Sequence, residues 1–152
     1  MQRRELTKKR TAGDGSRFRI GIVVSEFNHD VTYQLRDAAL ETLREWQVKD
    51  KNITIVSVPG AFEIPLAAAR LLKSKKYDAL VVLGCVLKGE TKHDEYISHA
   101  VSGALQTLML TYLKPIGFGI ITPTTLPQAH ARAGGDSSYG SAAARAALEM
   151  LV

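Results

Sequence analysis

Four short runs of the chain are almost unbroken in hydrophobicity: "FRIGIVV" (18–24), "ITIVSV" (53–58), "YDALVVLG" (77–84) and "GFGIIT" (117–122). Continuous apolar runs rich in β-branched residues belong to strands covered on both faces, as in a parallel sheet; alternating runs would leave one face to water. Between the runs the apolar spacing changes to three and four residues. Val31, Leu35, Ala39, Leu43 and Trp46 form one such stripe within 31–46, and Ile97, Val101, Ala104, Leu105 and Leu108 form another from about His93 onward. Both predict amphipathic helices. Within 61–74, Pro65 suits the first turn of a helix carrying Ile64, Ala68, Leu71 and Leu72, and "KSKK" closes it with charge suited to a C-terminus. A short helix near 125–133 and the small-residue helix "SAAARAALEM" complete the pattern.

Strand alternating with helix predicts right-handed crossovers and an α/β fold, a three-layer α/β/α sandwich on a four-stranded parallel sheet. In such sheets ligands bind beyond the carboxyl ends of the strands. The four exits read "SEFN", "PGAFE", "CVLKGETKH" and "TPTT", so their polar residues are expected on a single rim.

With 152 residues and 45% hydrophobic content, the chain has the size of one domain with a real core. There is no internal repeat. The formal charge of +5 changes meaning once it is divided along the sequence. Residues 1–17 hold six Lys or Arg and two acids, leaving 14 basic against 13 acidic residues for the rest. The expected organisation is therefore a flexible basic tail, 1–17, and a single domain, 18–152. The basic signal belongs to the tail, and no nucleic-acid partner is expected of the body. No apolar run approaches the roughly 18 residues of a membrane-spanning helix, so no membrane association is expected. A single cysteine, Cys85, excludes an intrachain disulfide and fits a reducing, cytoplasmic setting.

The candidate chemistry lies at the exits. In "KGETKH", Gly89, Glu90 and Thr91 precede a helix whose first amides lack partners within the helix. They form either a phosphate-binding loop or an ordinary turn capped by Thr91. His93 follows, an imidazole able to exchange protons near neutral pH or simply solvated. Phe27 in "SEFNHD" is either a stacking platform for a planar heterocycle or a hydrophobic staple. Glu63, after Phe62, either accepts hydrogen bonds from substrate hydroxyls or complements a helix dipole. Arg132 in "QAHARAGG" does the same for a helix end or reaches an anion as a forked donor. Cys85 reads as packing. His29, His93, His99 and His130 have no zinc spacing, and no dinucleotide, phosphate-loop or nucleophile-elbow motif occurs, so metal, nicotinamide, nucleotide-hydrolysis and serine-hydrolase readings all lose ground.

Taken in order, "RIGIVVSEFN", "VPGAFEIP", "LGCVLKGETKHDEY", "FGIIT" and "QAHARAG" resemble the 6,7-dimethyl-8-ribityllumazine synthase family over residues 18–151. The resemblance implies a flavodoxin-like sandwich that condenses 5-amino-6-(ribitylamino)uracil with 3,4-dihydroxy-2-butanone 4-phosphate and needs no cofactor. It implies that Phe27 stacks on the pyrimidine, that Ala61, Phe62 and Glu63 bind the ribityl chain and ring edge, and that Cys85, Val86 and Leu87 line the ring site. Gly89, Glu90 and Thr91 would cradle the phosphate together with Arg132, His93 would move protons, and Phe118 would come from a neighbouring subunit. Homo-oligomers are implied, pentamers or 60-subunit shells, with riboflavin synthase as a further partner. A binding shell that holds flavin or lumazine without turning it over is the alternative; a pure binder has no need of a proton shuttle beside a phosphate arginine.

Three positions depart from the family pattern. Asp94 stands where an aromatic usually follows the catalytic histidine, Tyr139 where a lysine precedes a glycine, and Ala142 where an acidic residue often lies. Loss of the lysine predicts weaker phosphate affinity with activity retained. The short "GGDSSYG" linker lacks the insertion associated with pentamers and favours the shell.

Overall fold

The computed structural model of the chain describes residues 12–89, 91–135 and 137–152. Four strands, β1 (Ile20–Ser25), β2 (Ile53–Val58), β3 (Ala79–Cys85) and β4 (Ile116–Ile121), alternate with helices. These are α1 (His29–Glu45), α2 (Ile64–Lys73), α3 (His93–Tyr112), α4 (Leu126–Ala133) and α5 (Tyr139–Glu149). The strands form one sheet in the order β2-β1-β3-β4, with every neighbouring pair parallel. The chain winds one way from β1 to β2 and the other from β1 to β3, so the topological switch falls between β1 and β3.

Two apolar layers flank the sheet. Val31, Leu35, Ala39 and Leu43 of α1, Ala129 and Ala133 of α4, and Ala143, Ala144, Ala147 and Leu148 of α5 pack on Ile20, Ile22 and Val24. On the opposite face, Ile64, Ala68 and Leu72 of α2 and Val101 and Leu105 of α3 pack on Val23, Leu80 and Val82. This is the expected three-layer α/β/α sandwich. Every residue of β1 and β3 is buried.

Strand β2 departs from the expectation that all four apolar runs are buried on both faces. Thr54, Ile55 and Ser57 are exposed, because β2 is an edge strand and the helices cover the sheet's centre. The expected helix over 61–74 also divides, with Ala61–Glu63 forming a single 3-10 turn before α2. Pro65 lies in the first turn of α2, as its fixed φ and missing N–H allow.

The small residues of α5 allow backbone to approach backbone. A Cβ at Gly140 would lie 2.0 Å from the Leu35 carbonyl oxygen, and one at Gly117 would lie 2.1 Å from that of Ala143. Helix α5 is thus wedged against α1 on one side and β4 on the other. The buried hydroxyls of Thr42 and Ser141 bond across the α1–α5 seam at 2.5 Å. Of the residues assigned to the basic tail, 1–11 lie outside the described residues. Gly15 is buried and donates its N–H to the Trp46 carbonyl at 2.6 Å.

Candidate active site

The four strand exits are joined to one another by backbone and side-chain bonds. Glu26 N–H donates to the Val58 carbonyl at 2.8 Å, and Phe27 N–H to that of Pro59 at 2.9 Å, which ties β1's exit to β2's. Val86 N–H donates to Ile121 at 2.9 Å and Lys88 N–H to Pro123 at 3.1 Å, which ties β3's exit to β4's. The Asn28 side-chain amide closes the gap between the pairs by donating to the Cys85 carbonyl at 3.1 Å, across the switch point. Asn28 has φ of 60°, a left-handed conformation that asparagine tolerates better than most residues.

Phe27, fixed by its backbone on one side and by Asn28 on the other, stands 72% exposed. That exposure removes the staple reading, which requires a packed ring. Phe62, in the 3-10 turn, is 62% exposed, while Ala61 is buried. The Glu63 carboxylate accepts from the Gly60 N–H at 2.9 Å, which holds the turn and leaves its second oxygen free of any hydrogen bond with a described residue. Phe118 projects from mid-β4 and is half exposed. It shares a cleft of about 250 Å³ with Ala61, Val86, Ile97, His99 and Thr122, on the α2–α3 side of the sheet.

Cys85 is buried at the end of β3, and burial first, then the charge of Asp30, push its thiol up to about 11. It is a neutral packing group at physiological pH, as its apolar neighbours indicate. Val86 and Leu87 are half-buried beyond it. Gly89 has no left-handed φ, and a Cβ there would meet nothing within 4 Å, so neither strain nor packing requires glycine at this position. Glu90 lies outside the described residues.

Thr91 Oγ1 accepts from His93 N–H at 3.3 Å, although the N-cap position of α3 is Lys92 and carries no side-chain cap, and His93 opens that helix on the surface. The His93 imidazole has no hydrogen bond or ion pair with another described residue, and Asp94, its neighbour, makes no ion pair with it. Arg132 is on the other side of the sheet, near the end of α4, where one guanidinium nitrogen, Nη1, is buried with no partner among the described residues. Buried guanidinium donors normally find acceptors, and this one has none among the described residues. Within one protomer no described contact joins Arg132 to His93.

Sequence reasoning missed three groups at this rim. Ser25, 1% exposed, has a hydroxyl with no partner among the described residues, and a Cβ at Gly84 would come within 3.3 Å of it. Glu26 accepts from the Tyr33 phenol, and that bond, followed by one from Ser57, holds its carboxyl below the usual range; the same bond raises Tyr33. The third is Asn28, whose left-handed backbone and long-range partner no local pattern announces. Among the described residues there is no cluster of His, Cys, Asp or Glu fit to hold a metal, and no helix is long and apolar enough to cross a membrane.

A family profile described as 6,7-dimethyl-8-ribityllumazine synthase matches residues 17–152. The chain belongs to that family. Curated relatives named 6,7-dimethyl-8-ribityllumazine synthase, from the Dugway 5J108-111 and CbuG_Q212 strains of Coxiella burnetii, are each 48% identical over 137 residues. The alignments cover 90% of this chain and 91% of each relative. The relative from the RSA 493 Nine Mile strain matches to the same extent. The lumazine synthase family thus accounts for the whole sandwich, including the rim built around Asn28 and Cys85.

Proposed function

We propose that this chain is a transferase that condenses 5-amino-6-(ribitylamino)uracil with 3,4-dihydroxy-2-butanone 4-phosphate. The product is 6,7-dimethyl-8-ribityllumazine, and the step is the penultimate one of riboflavin synthesis. The observation that carries this reading is the family match along residues 17–152, which spans every rim segment described above. The 5-amino group of the uracil attacks the ketone and forms a Schiff base with loss of water; phosphate is then eliminated, and the ribityl-bearing nitrogen closes the ring on the remaining carbonyl with loss of a second water. None of these steps requires an electron acceptor.

In this reading Phe27 stacks on the pyrimidine, a role its exposure supports, and Ala61, Phe62 and Glu63 hold the ribityl chain. Cys85, Val86 and Leu87 edge the ring through backbone groups. Gly89, Glu90 and Thr91 offer the start of α3 to the phosphate, and His93, whose ring has no partner among the described residues, moves protons between the bound reactants. General acid–base transfer and the orientation of two substrates are the two contributions asked of the protein.

Arg132 and Phe118 enter from a neighbouring copy. The support is the position of Arg132 on the α1 side of the sheet while His93 opens α3 on the opposite side. The site then lies between subunits of a homo-oligomer, a pentamer or a 60-subunit shell, in the cytoplasm, with riboflavin synthase consuming the product. The test is phosphate release with each substrate alone and with both. The reading requires release only when both are present; release from the butanone phosphate alone contradicts condensation.

A further inference from the structure

Helix α4 carries Arg132, and its attachment to the rest of the rim is polar as well as apolar. Ala129 and Ala133 are fully buried on one side of the helix. His130 bridges outward to α1: its Nε2 lies 3.3 Å from Asp30 Oδ2, and its Nδ1 lies 3.4 Å from Gln34 Oε1. The bridge therefore engages both ring nitrogens, one against a carboxylate and one against a side-chain amide. The side chains are 37% and 53% exposed, so the ion pair is of moderate strength.

Asp30 stands two residues beyond Asn28, whose side chain reaches Cys85, and the Asp30 charge is itself felt by the Cys85 thiol. The bridge thus joins the helix of the phosphate arginine to the corner that holds Phe27. Other titratable groups on the packed elements are engaged elsewhere. The His29 ring lies 5.6 Å from Tyr33, whose phenol donates to Glu26, and Arg36 lies over the Tyr33 ring at 4.2 Å and 3.1 Å from Asp37. On α5, Arg145 reaches Ser141 at 3.5 Å, and Tyr139 opens the helix. Arg132 follows His130 on α4 itself.

From this geometry we infer that His130 is a positioning residue, whose ring locks α4 to the first turn of α1 and so sets the affinity of Arg132 for the phosphate of the substrate. The inference deepens the functional reading above and rests on it for the identity of the anion. Affinity for a dianion falls when that bridge is cut. The change is about two- to five-fold, the size a half-exposed ion pair carries.

Sulfate serves as the probe dianion. Its dissociation constant is to be measured by calorimetry on wild type, His130→Ala, His130→Arg, Asp30→Asn and Arg132→Ala. His130→Ala and Asp30→Asn should bind sulfate about two- to five-fold more weakly than wild type. His130→Arg, whose cation also faces Asp30, should restore the wild-type value, a rescue that a loss of packing alone would not allow. Equal affinities in wild type, His130→Ala and Asp30→Asn overturn the inference, and so does sulfate binding that Arg132→Ala leaves unchanged. Turnover of the two substrates by wild type is measured in parallel. Product without a His130 effect sinks the inference alone; a His130 effect without product sinks the functional reading alone.

Discussion

The side-chain amide of Asn28 donates to the carbonyl oxygen of Cys85 at 3.1 Å and so ties the exit of β1 to the exit of β3 at the point where the sheet changes winding direction. Residue 28 does two things there, since its backbone has φ of 60° and its side chain makes the bond. The two contributions separate by substitution. Asn28→Gly keeps the left-handed backbone at no steric cost and loses only the bond, so urea denaturation should show a loss of about 1 kcal/mol. Asn28→Ala adds a left-handed penalty of about 1–2 kcal/mol. Both should raise KM for the uracil substrate, because Phe27 loses its fixed neighbour. Equal stability of the Gly and Ala variants would refute the account of this corner.

Gly140 provides a test by sign. Helix propensity alone makes Gly→Ala stabilising by roughly 1 kcal/mol. Here the new methyl would sit 2.0 Å from the Leu35 carbonyl oxygen, backbone that has no room to move aside. Gly140→Ala should therefore destabilise the fold by about 1–3 kcal/mol or more, seen as a lower denaturation midpoint or as insoluble protein. A raised midpoint would mean that α5 does not pack on α1 at this distance.

Much of the sheet was legible because parallel strands leave an unbroken apolar signal, and the four runs fall on the four strands. The edge position of β2 was not, since "ITIVSV" reads the same at the rim of a sheet as at its centre. The small residues of the last helix announced close packing, but which backbone they approach depends on α1, about a hundred residues earlier in the chain. At the site, the ordered motifs led to Phe27, the Ala61–Glu63 turn and His93. The pairs that hold them, Asn28 with Cys85, Tyr33 with Glu26 and His130 with Asp30, span elements and have no local pattern. Gly89 marks the opposite case, a glycine at a position where the structure shows neither a left-handed backbone nor a close approach.

The Cys85 thiol should be inert in the folded protein. Its pKa is raised from 9.0 to about 11, so at pH 8 the reactive thiolate is about 100-fold scarcer than in the unfolded chain. Reaction with a disulfide reagent should be slower than that of the urea-unfolded protein by at least this factor. Because the folded value lies above the unfolded one, the group's contribution to stability is intact below pH 9.0 and is lost as pH rises from there to about 11. Denaturation midpoints should fall across that window and fall less in Cys85→Ala. A thiol that reacts at the unfolded rate would place Cys85 on the surface.

The most direct measurement mixes the protein with 5-amino-6-(ribitylamino)uracil and 3,4-dihydroxy-2-butanone 4-phosphate and follows lumazine absorbance for wild type and His93→Ala. The His93 side chain is exposed and has no bond to another described residue, so its removal should leave stability within about 0.5 kcal/mol. The account predicts product formation well above the uncatalysed rate in wild type and a kcat lower by about 100-fold or more in the variant, the size of a lost general acid–base. Wild-type protein that forms lumazine no faster than buffer would contradict it.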